Sequence, residues 1–160
     1  MGGNSIPAPK CTLVPSHFFD PASARDILGE VVVLGDADEV RYLDVPHYDA
    51  VLVYAVSSPE QSAEPELYRI LRQLPSCREY NKILASYTDG WLYLAIAQGG
   101  SLQLANAYPA VDFTTAEYYI FLALKQLQLN PELSTICFLS LVEPEDELSL
   151  YRYFKNVEQL

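Results

Sequence analysis

The residues able to do chemistry are few and scattered. Asp36 and Asp38 stand one residue apart in the turn Gly35-Asp36-Ala37-Asp38. Two carboxylates at that spacing begin a divalent-cation site, but Mg²⁺ and Ca²⁺ take more oxygen ligands than two side chains supply. The pair therefore reads as a solvated turn. His17 and His47, the two histidines, have no second ligand type one helical turn away, so neither is assigned to a metal or a reaction. Cys11, Cys77 and Cys137 are odd in number, far apart and without a CxxC pair, which excludes a tetrahedral cysteine zinc site and argues against a disulfide framework. Cys137 lies in an apolar run, where a free thiol behaves as a small hydrophobe. No catalytic residue and no metal site are assigned.

Three weaker clusters remain. Asp112, Thr114 and Glu117 precede a long apolar stretch, and Thr114-Thr-Ala-Glu117 matches a capping box, in which Thr and Glu satisfy orphan amides of the first helical turn. Capping explains these residues better than anion binding, since carboxylates already occupy the helix start. The turn Gln98-Gly99-Gly100-Ser101 and the nearby Asn106 supply the ligand-binding candidates Gly99, Gly100, Ser101 and Asn106. Glycines let a backbone approach a ligand closely. Asn106 follows alternating leucines and reads otherwise as a buried polar anchor for a neighbouring loop. The chain also has 12 tyrosines, a residue favoured in interface cores. Tyr118, Tyr119, Tyr151 and Tyr153 are the interaction candidates, with Tyr118 and Tyr119 on different faces of one helix.

Composition sets the wider limits. The 160 residues fit one domain, or a large domain with a piece of another, and 50% are hydrophobic, enough for a real core. A net charge of −11 repels phosphate backbones, so nucleic acid is not an expected partner. No apolar run reaches the roughly 20 residues of a spanning helix, and the N-terminus lacks the apolar centre of a signal peptide. A cytoplasmic protein with a protein partner, or one that associates with itself, is the expectation; a membrane partner is not.

The elements that must position these residues are readable in outline. Residues 1–10 read as a flexible leader. Asp20-Pro21 opens a short helix ended by Gly29. Strands are expected at Glu30–Gly35, Glu39–Val45 and Ala50–Ser57, the last apolar on both faces and so central. Ser58 to Pro65 is a polar loop, after which Leu67, Ile70, Leu71 and Leu74 recur at helical spacing until Pro75. Asn81–Thr88 is a strand, Asp89-Gly90 a turn, and Trp91–Gln98 another strand apolar on both faces, with Leu102, Leu104, Asn106 and Tyr108 sharing one face of its return strand. A helix runs to about Leu129 and is apolar enough around its circumference to be largely buried. Thr135–Val142 is a strand and Pro144 starts the last element, a helix with Glu145, Asp146 and Glu147 in its first turn. This order gives an α/β fold, with α+β the alternative: mixed sheets and flanking helices.

Short motifs carry a family resemblance: Leu13-Val14-Pro15 with Phe18-Phe19-Asp20, then Leu104-Ala-Asn106-Ala-Tyr108, Glu117-Tyr118-Tyr119, Gln126-Leu127, and Leu150-Tyr151 with Tyr153. In order and spacing the chain from about Cys11 resembles a bacterial domain-of-unknown-function family with an actin-like, ribonuclease-H-like ATPase fold. The resemblance implies two related lobes, each a mixed sheet with helices: an incomplete first lobe over residues 11–88 and a second over 89–160. It also implies Asp-x-Gly turns in phosphate-binding hairpins and a glycine-rich adenosine loop. The hairpin Trp91–Tyr108 stands where a second phosphate loop is expected, yet its turn holds no acidic residue, and Leu139-Ser140-Leu141-Val142 stands where the adenosine loop is expected. The expectation is a non-catalytic interaction or scaffold module without cofactor. The alternative is a nucleotide-binding ATPase with ATP and Mg between two lobes.

Overall fold

The computed structural model describes residues 9–57 and 64–160. Of the expected leader only Pro9 and Lys10 fall within them, and of the loop from Ser58 to Pro65 only Glu64 and Pro65; the rest of both lies outside the described residues. The first sheet holds β1 (Cys11–Pro15), β2 (Glu39–Val45) and β3 (Ala50–Val56), with β3 central and both pairings antiparallel. The second holds β4 (Asn81–Thr88), β5 (Trp91–Gln98), β6 (Ser101–Pro109), β7 (Thr135–Phe138) and β8 (Asn156–Gln159) in the order β6-β5-β4-β7-β8. Its meander is antiparallel, while β4–β7 and β7–β8 are parallel. The fold class is α/β: a three-stranded antiparallel sheet and a five-stranded mixed sheet with flanking helices.

Among the described residues four α-helices cover the sheets: α1 (Ala24–Gly29), α2 (Glu66–Gln73), α3 (Phe113–Gln126) and α4 (Pro144–Tyr151). Strand alternation distributes the core among them. On β3, Val51 and Val53 pack toward Ala24 and Leu28 of α1, while Ala50 and Leu52 face the cluster of Leu67, Ile70, Leu71 and Leu74. On β5, Leu92, Leu94 and Ile96 face Ile120 and Leu124 of α3, while Ala95 and Ala97 join the α2 cluster. α2 thus lies between the two sheets. The small alanines of β5 give it room to approach.

Several expectations need correction. Residues 30–35 form no strand: Arg25 donates to the Gly35 and Asp38 carbonyls at 3.0 and 2.8 Å, and Gly35 N–H donates to the Asp38 carboxylate, so side chains occupy these backbone groups in place of a ladder. Strand β7 stops at Phe138, four residues before Val142, because the Ser140 hydroxyl takes the Tyr87 amide and Gln159 Nε2 takes the Phe138 and Ser140 carbonyls. The chain does not stop after α4 but adds β8 along β7. The cap of α3 is Asp112, whose carboxylate accepts from Thr115 N–H at 2.8 Å; Glu117 instead accepts from Ser149 of α4 at 3.1 Å. Only Ala116, Ile120, Ala123 and Leu124 of α3 are buried, so this helix is half-exposed. A bulge skips Gln103, pairing Ile96 with Leu104 but Ala97 with Leu102. Leu102 therefore turns toward α2 while Leu104 and Tyr108 face the α3 side, so the four residues do not share one face.

Gly99 has φ +59°, and a Cβ there would meet Tyr80 Cε2 at 2.9 Å, whereas Gly100 faces open space. Gly99→Ala is expected to lose about 1–2 kcal/mol from the left-handed backbone alone, and Gly100→Ala to stay within about 0.5 kcal/mol, both read by urea unfolding. Asp112→Ala lowers the melting midpoint more than Thr114→Ala, checked by calorimetry.

Candidate functional site

The first sheet and the β4–β5 hairpin enclose a cleft of about 360 Å³ at the start of α2. Lys10 and Cys11 line it from the beginning of β1, Glu64 and Glu66 from the α2 entry, and Asp89 and Tyr93 from the hairpin. The Asp89-Gly90 turn joins β4 directly to β5, with φ +55° and +80°, the left-handed pair that a two-residue hairpin loop of this kind needs. The acidic turn therefore does sit in a hairpin, but in the first of the meander and not in Trp91–Tyr108, where the resemblance implies the second phosphate loop.

The charged groups of this cleft are largely spoken for. Lys10 Nζ lies 2.6 Å from Asp38, Glu66 pairs with Arg69 at 2.7 Å and accepts from the Ser86 hydroxyl, and Glu64 pairs with Arg72 at 3.3 Å. Burial, with the Glu66 carboxylate next in weight, pushes the Tyr93 phenol up to about 12. Burial likewise pushes the Cys11 thiol up to about 11. The cleft wall is thus rich in carboxylate and neutral phenol, and its lysine is already matched to an acid.

Asp38 is not a solvated turn residue. Its side chain is 7% exposed, and the Lys10 ammonium, followed by the Gly35 amide, holds its carboxyl below the usual carboxylate range. Among the described residues no group of three His, Cys, Asp or Glu could hold a metal ion. His17 rests on Phe18 with ring centroids 4.2 Å apart, and His47 lies edge-on to Tyr48 at 5.0 Å.

The ligand-binding candidates divide. Gly99 is covered by the Tyr80 ring and its N–H donates to Tyr80 O, so close approach is used by the chain itself. Gly100 stays uncovered and Ser101 is bonded by Gln103 Nε2. Asn106 is exposed, not a buried anchor; it borders a separate groove of about 170 Å³ between β6 and β1, where Cys11 and Leu67 also border the larger cleft. The Gly99 turn is not among the residues that line either cavity.

Of the tyrosine candidates, Tyr118 and Tyr119 lie on α3, Tyr151 ends α4 and Tyr153 follows it. Tyr119 stacks on Tyr108 at 4.7 Å, Tyr118 lies edge-on to Tyr119, and Tyr153 lies edge-on to Phe121. Tyr118 is 60% exposed, whereas the Tyr151 hydroxyl donates to the Val157 carbonyl. Cys77 and Cys137, far apart in the sequence, are both buried in the α2 cluster.

Residues 61–157 match the model of a family described as a protein of unknown function, DUF3822. The chain belongs to this family. The later motifs, from Leu104 to Tyr153, fall inside the matched stretch, and Leu13-Val14-Pro15 and Phe18-Phe19-Asp20 fall before it. No curated protein matches the chain. Among solved structures it is similar to a Bacteroides thetaiotaomicron protein with an actin-like ATPase fold and unknown function, at TM-score 0.74 and 18% identity, over 96% of this chain and 65% of that one. The DUF3822 chain therefore has the actin-like fold and spans less than two thirds of that protein's length. Among the described residues no helix is long and apolar enough to cross a membrane. The lobe boundary expected near Thr88–Gly90 falls inside the β4–β5 hairpin, so β4 pairs with strands on the far side of it.

Asp38 yields a pH test. A carboxyl held down in the folded state contributes stability above its unfolded pKa and loses it as pH falls through the folded value. The gap in unfolding midpoint between the natural chain and Asp38→Asn is expected to be constant near neutrality and to shrink below about pH 4, measured by urea unfolding across pH.

Proposed function

We propose that this DUF3822 chain is a cytoplasmic protein-interaction module, an actin-like framework that works by docking and without nucleotide chemistry. The observation that supports this reading is the character of the cleft at the start of α2. Phosphate binding draws on unspent N–H donors, positive charge and close backbone approach. Here Glu64, Glu66 and Asp89 line the wall and Lys10 is matched to Asp38. Residues 139–142 supply no glycine, and Leu141 is 90% exposed. Free cysteines fit a reducing compartment.

Docking is best served by the outer side of α3 and α4. Tyr118 of α3, Leu148 of α4 and the following Tyr153 are exposed, as are Glu143, Glu145 and Glu147 at the start of α4. An apolar protein surface with a rim of Lys or Arg matches this chemistry. The double variant Tyr118→Ser, Leu148→Ser is expected to keep its melting temperature within a few degrees and to lose a partner that the natural chain retains on co-purification. Retention of the same partner by the variant contradicts this placement.

One observation favours nucleotide binding as a second reading: the Asp89-Gly90 turn reaches the cleft, and Gly90 faces open space. Thermal-shift titration with Mg-ATP separates the two. The docking reading expects no saturable rise; a saturable rise that Asp89→Asn abolishes establishes the other.

A further inference from the structure

β1 and β2 are the edge strands of the first sheet, and β6 and β8 those of the second. An open edge offers backbone N–H and C=O groups to any other extended chain, and charged side chains are a common guard against such pairing. β2 carries Glu39, Arg41 and Asp44, and β8 carries Glu158. β1 and β6, of 5 and 9 residues, carry no charge at all, in a chain where 19% of residues are charged. The two unguarded edges are therefore a selective feature of the molecule.

These same two edges border one groove. Its volume is about 170 Å³, and it is lined by three consecutive residues of β1, Cys11–Leu13, and three of β6, Ala105–Ala107, with Leu67 of α2 beside them. Consecutive strand residues point to opposite faces. Ala105 joins the α2 cluster, whereas Asn106 stands opposite Leu94 on the α3 side. A groove that touches all three runs along the strand edges and not over one face. β1 pairs only with β3, and β6 only with β5, so the edges turned to the groove are the open ones.

Pro9, Cys11 and Leu67 line both this groove and the larger cleft, so the two are continuous. In the cleft Glu64 and Glu66 are paired with arginines, but Asp89 makes no ion pair among the described residues. One end of the path is thus apolar and bordered by strand edges, and the other holds an unmatched carboxylate. A helix, about 10 Å across with its side chains, is too wide for the narrow end. A second copy meeting β6 edge-on would bring its own sheet and helices against β1. A single extended strand meets neither obstacle.

We propose that the open edges of β1 and β6 receive an extended segment of a partner protein, with small apolar side chains at alternate positions toward Leu67 and a Lys or Arg reaching Asp89. Main-chain hydrogen bonds to the edges supply affinity, and the alternate side chains supply selectivity. A basic residue in the segment suits a chain of net charge −11 and favours encounter. This surface is separate from Tyr118 and Leu148, so the two docking placements stand or fall independently.

The test selects a displayed library of random nine-residue peptides on the whole chain. The enriched peptides are expected to alternate apolar and polar residues and to carry a Lys or Arg. One of them, synthesised with alternate backbone amides N-methylated, is expected to bind at least about tenfold more weakly, since its side chains are kept and its pairing is blocked. Ala107→Lys, which charges the β6 edge, is expected to weaken binding similarly with an unchanged melting temperature, and Asp89→Asn to relax the preference for a basic residue. Hydrogen exchange is expected to slow in β1 and β6 on binding, and the Tyr118→Ser, Leu148→Ser variant to bind as the natural chain does. No enrichment, enrichment of helical spacing or of acidic peptides, equal binding of the N-methylated peptide, or protection that maps away from β1 and β6 overturns the proposal. So does pairing of the chain with its own copy through β6. The N-methylated peptide and the exchange map decide the matter even if Ala107→Lys fails to fold.

Discussion

The structure depends on one sandwiching constraint: α2 must be apolar enough to satisfy two sheets at once. Leu67, Ile70, Leu71 and Leu74 share a single cluster with Val45, Ala50 and Leu52 of the first sheet and Leu84, Ala95, Ala97 and Cys137 of the second. Each fully buried Leu or Ile removes enough apolar surface from water to contribute about 1.5–3 kcal/mol. A helix of 8 residues has little intrinsic stability, so burial between the sheets is what keeps it helical. In turn, its entry residues Glu64 and Glu66 form one wall of the cleft, and its exit turn leads Cys77 into the same cluster.

What the sequence made legible follows from this layering. β3 and β5 read as central because each must be apolar on both faces, and the structure gives each a helix or helix cluster on either side. The turns at Asp89-Gly90 and Gly99-Gly100 were legible because left-handed backbone selects glycine and aspartate. Other features left no local trace. β8 reads Asn156-Val-Glu-Gln159, with no apolar run, and is a strand only because β7 offers a parallel edge. The bulge at Gln103 is set by pairing, not by residue type. Residues 30–35 carry strong β-branched character, yet the Val31 and Val32 amides close onto the Leu28 carbonyl and Arg25 and Asp38 bind the Gly35 backbone, so local hydrogen bonds override propensity.

The candidate site was less legible than the fold. Ligand candidates chosen on glycine content landed at a turn covered by Tyr80, whereas the cleft is built from residues chosen for other reasons or for none: Lys10, Glu64, Glu66 and Tyr93. Such a cleft comes from the meeting of β1, α2 and the β4–β5 hairpin, segments far apart in the chain. The aromatic surface was partly readable, since adjacent tyrosines on a helix must diverge, and Tyr119 packs on Tyr108 while Tyr118 projects.

The central claim is that α2 makes the two sheets one cooperative unit. Amide hydrogen exchange on Ile70→Ala tests it most directly, because Ile70 is fully buried in the shared cluster and its truncation costs about 2–5 kcal/mol. The account predicts that amides of β3 and β5 lose protection together and by the same factor. Loss confined to one sheet, with the other unchanged, contradicts it.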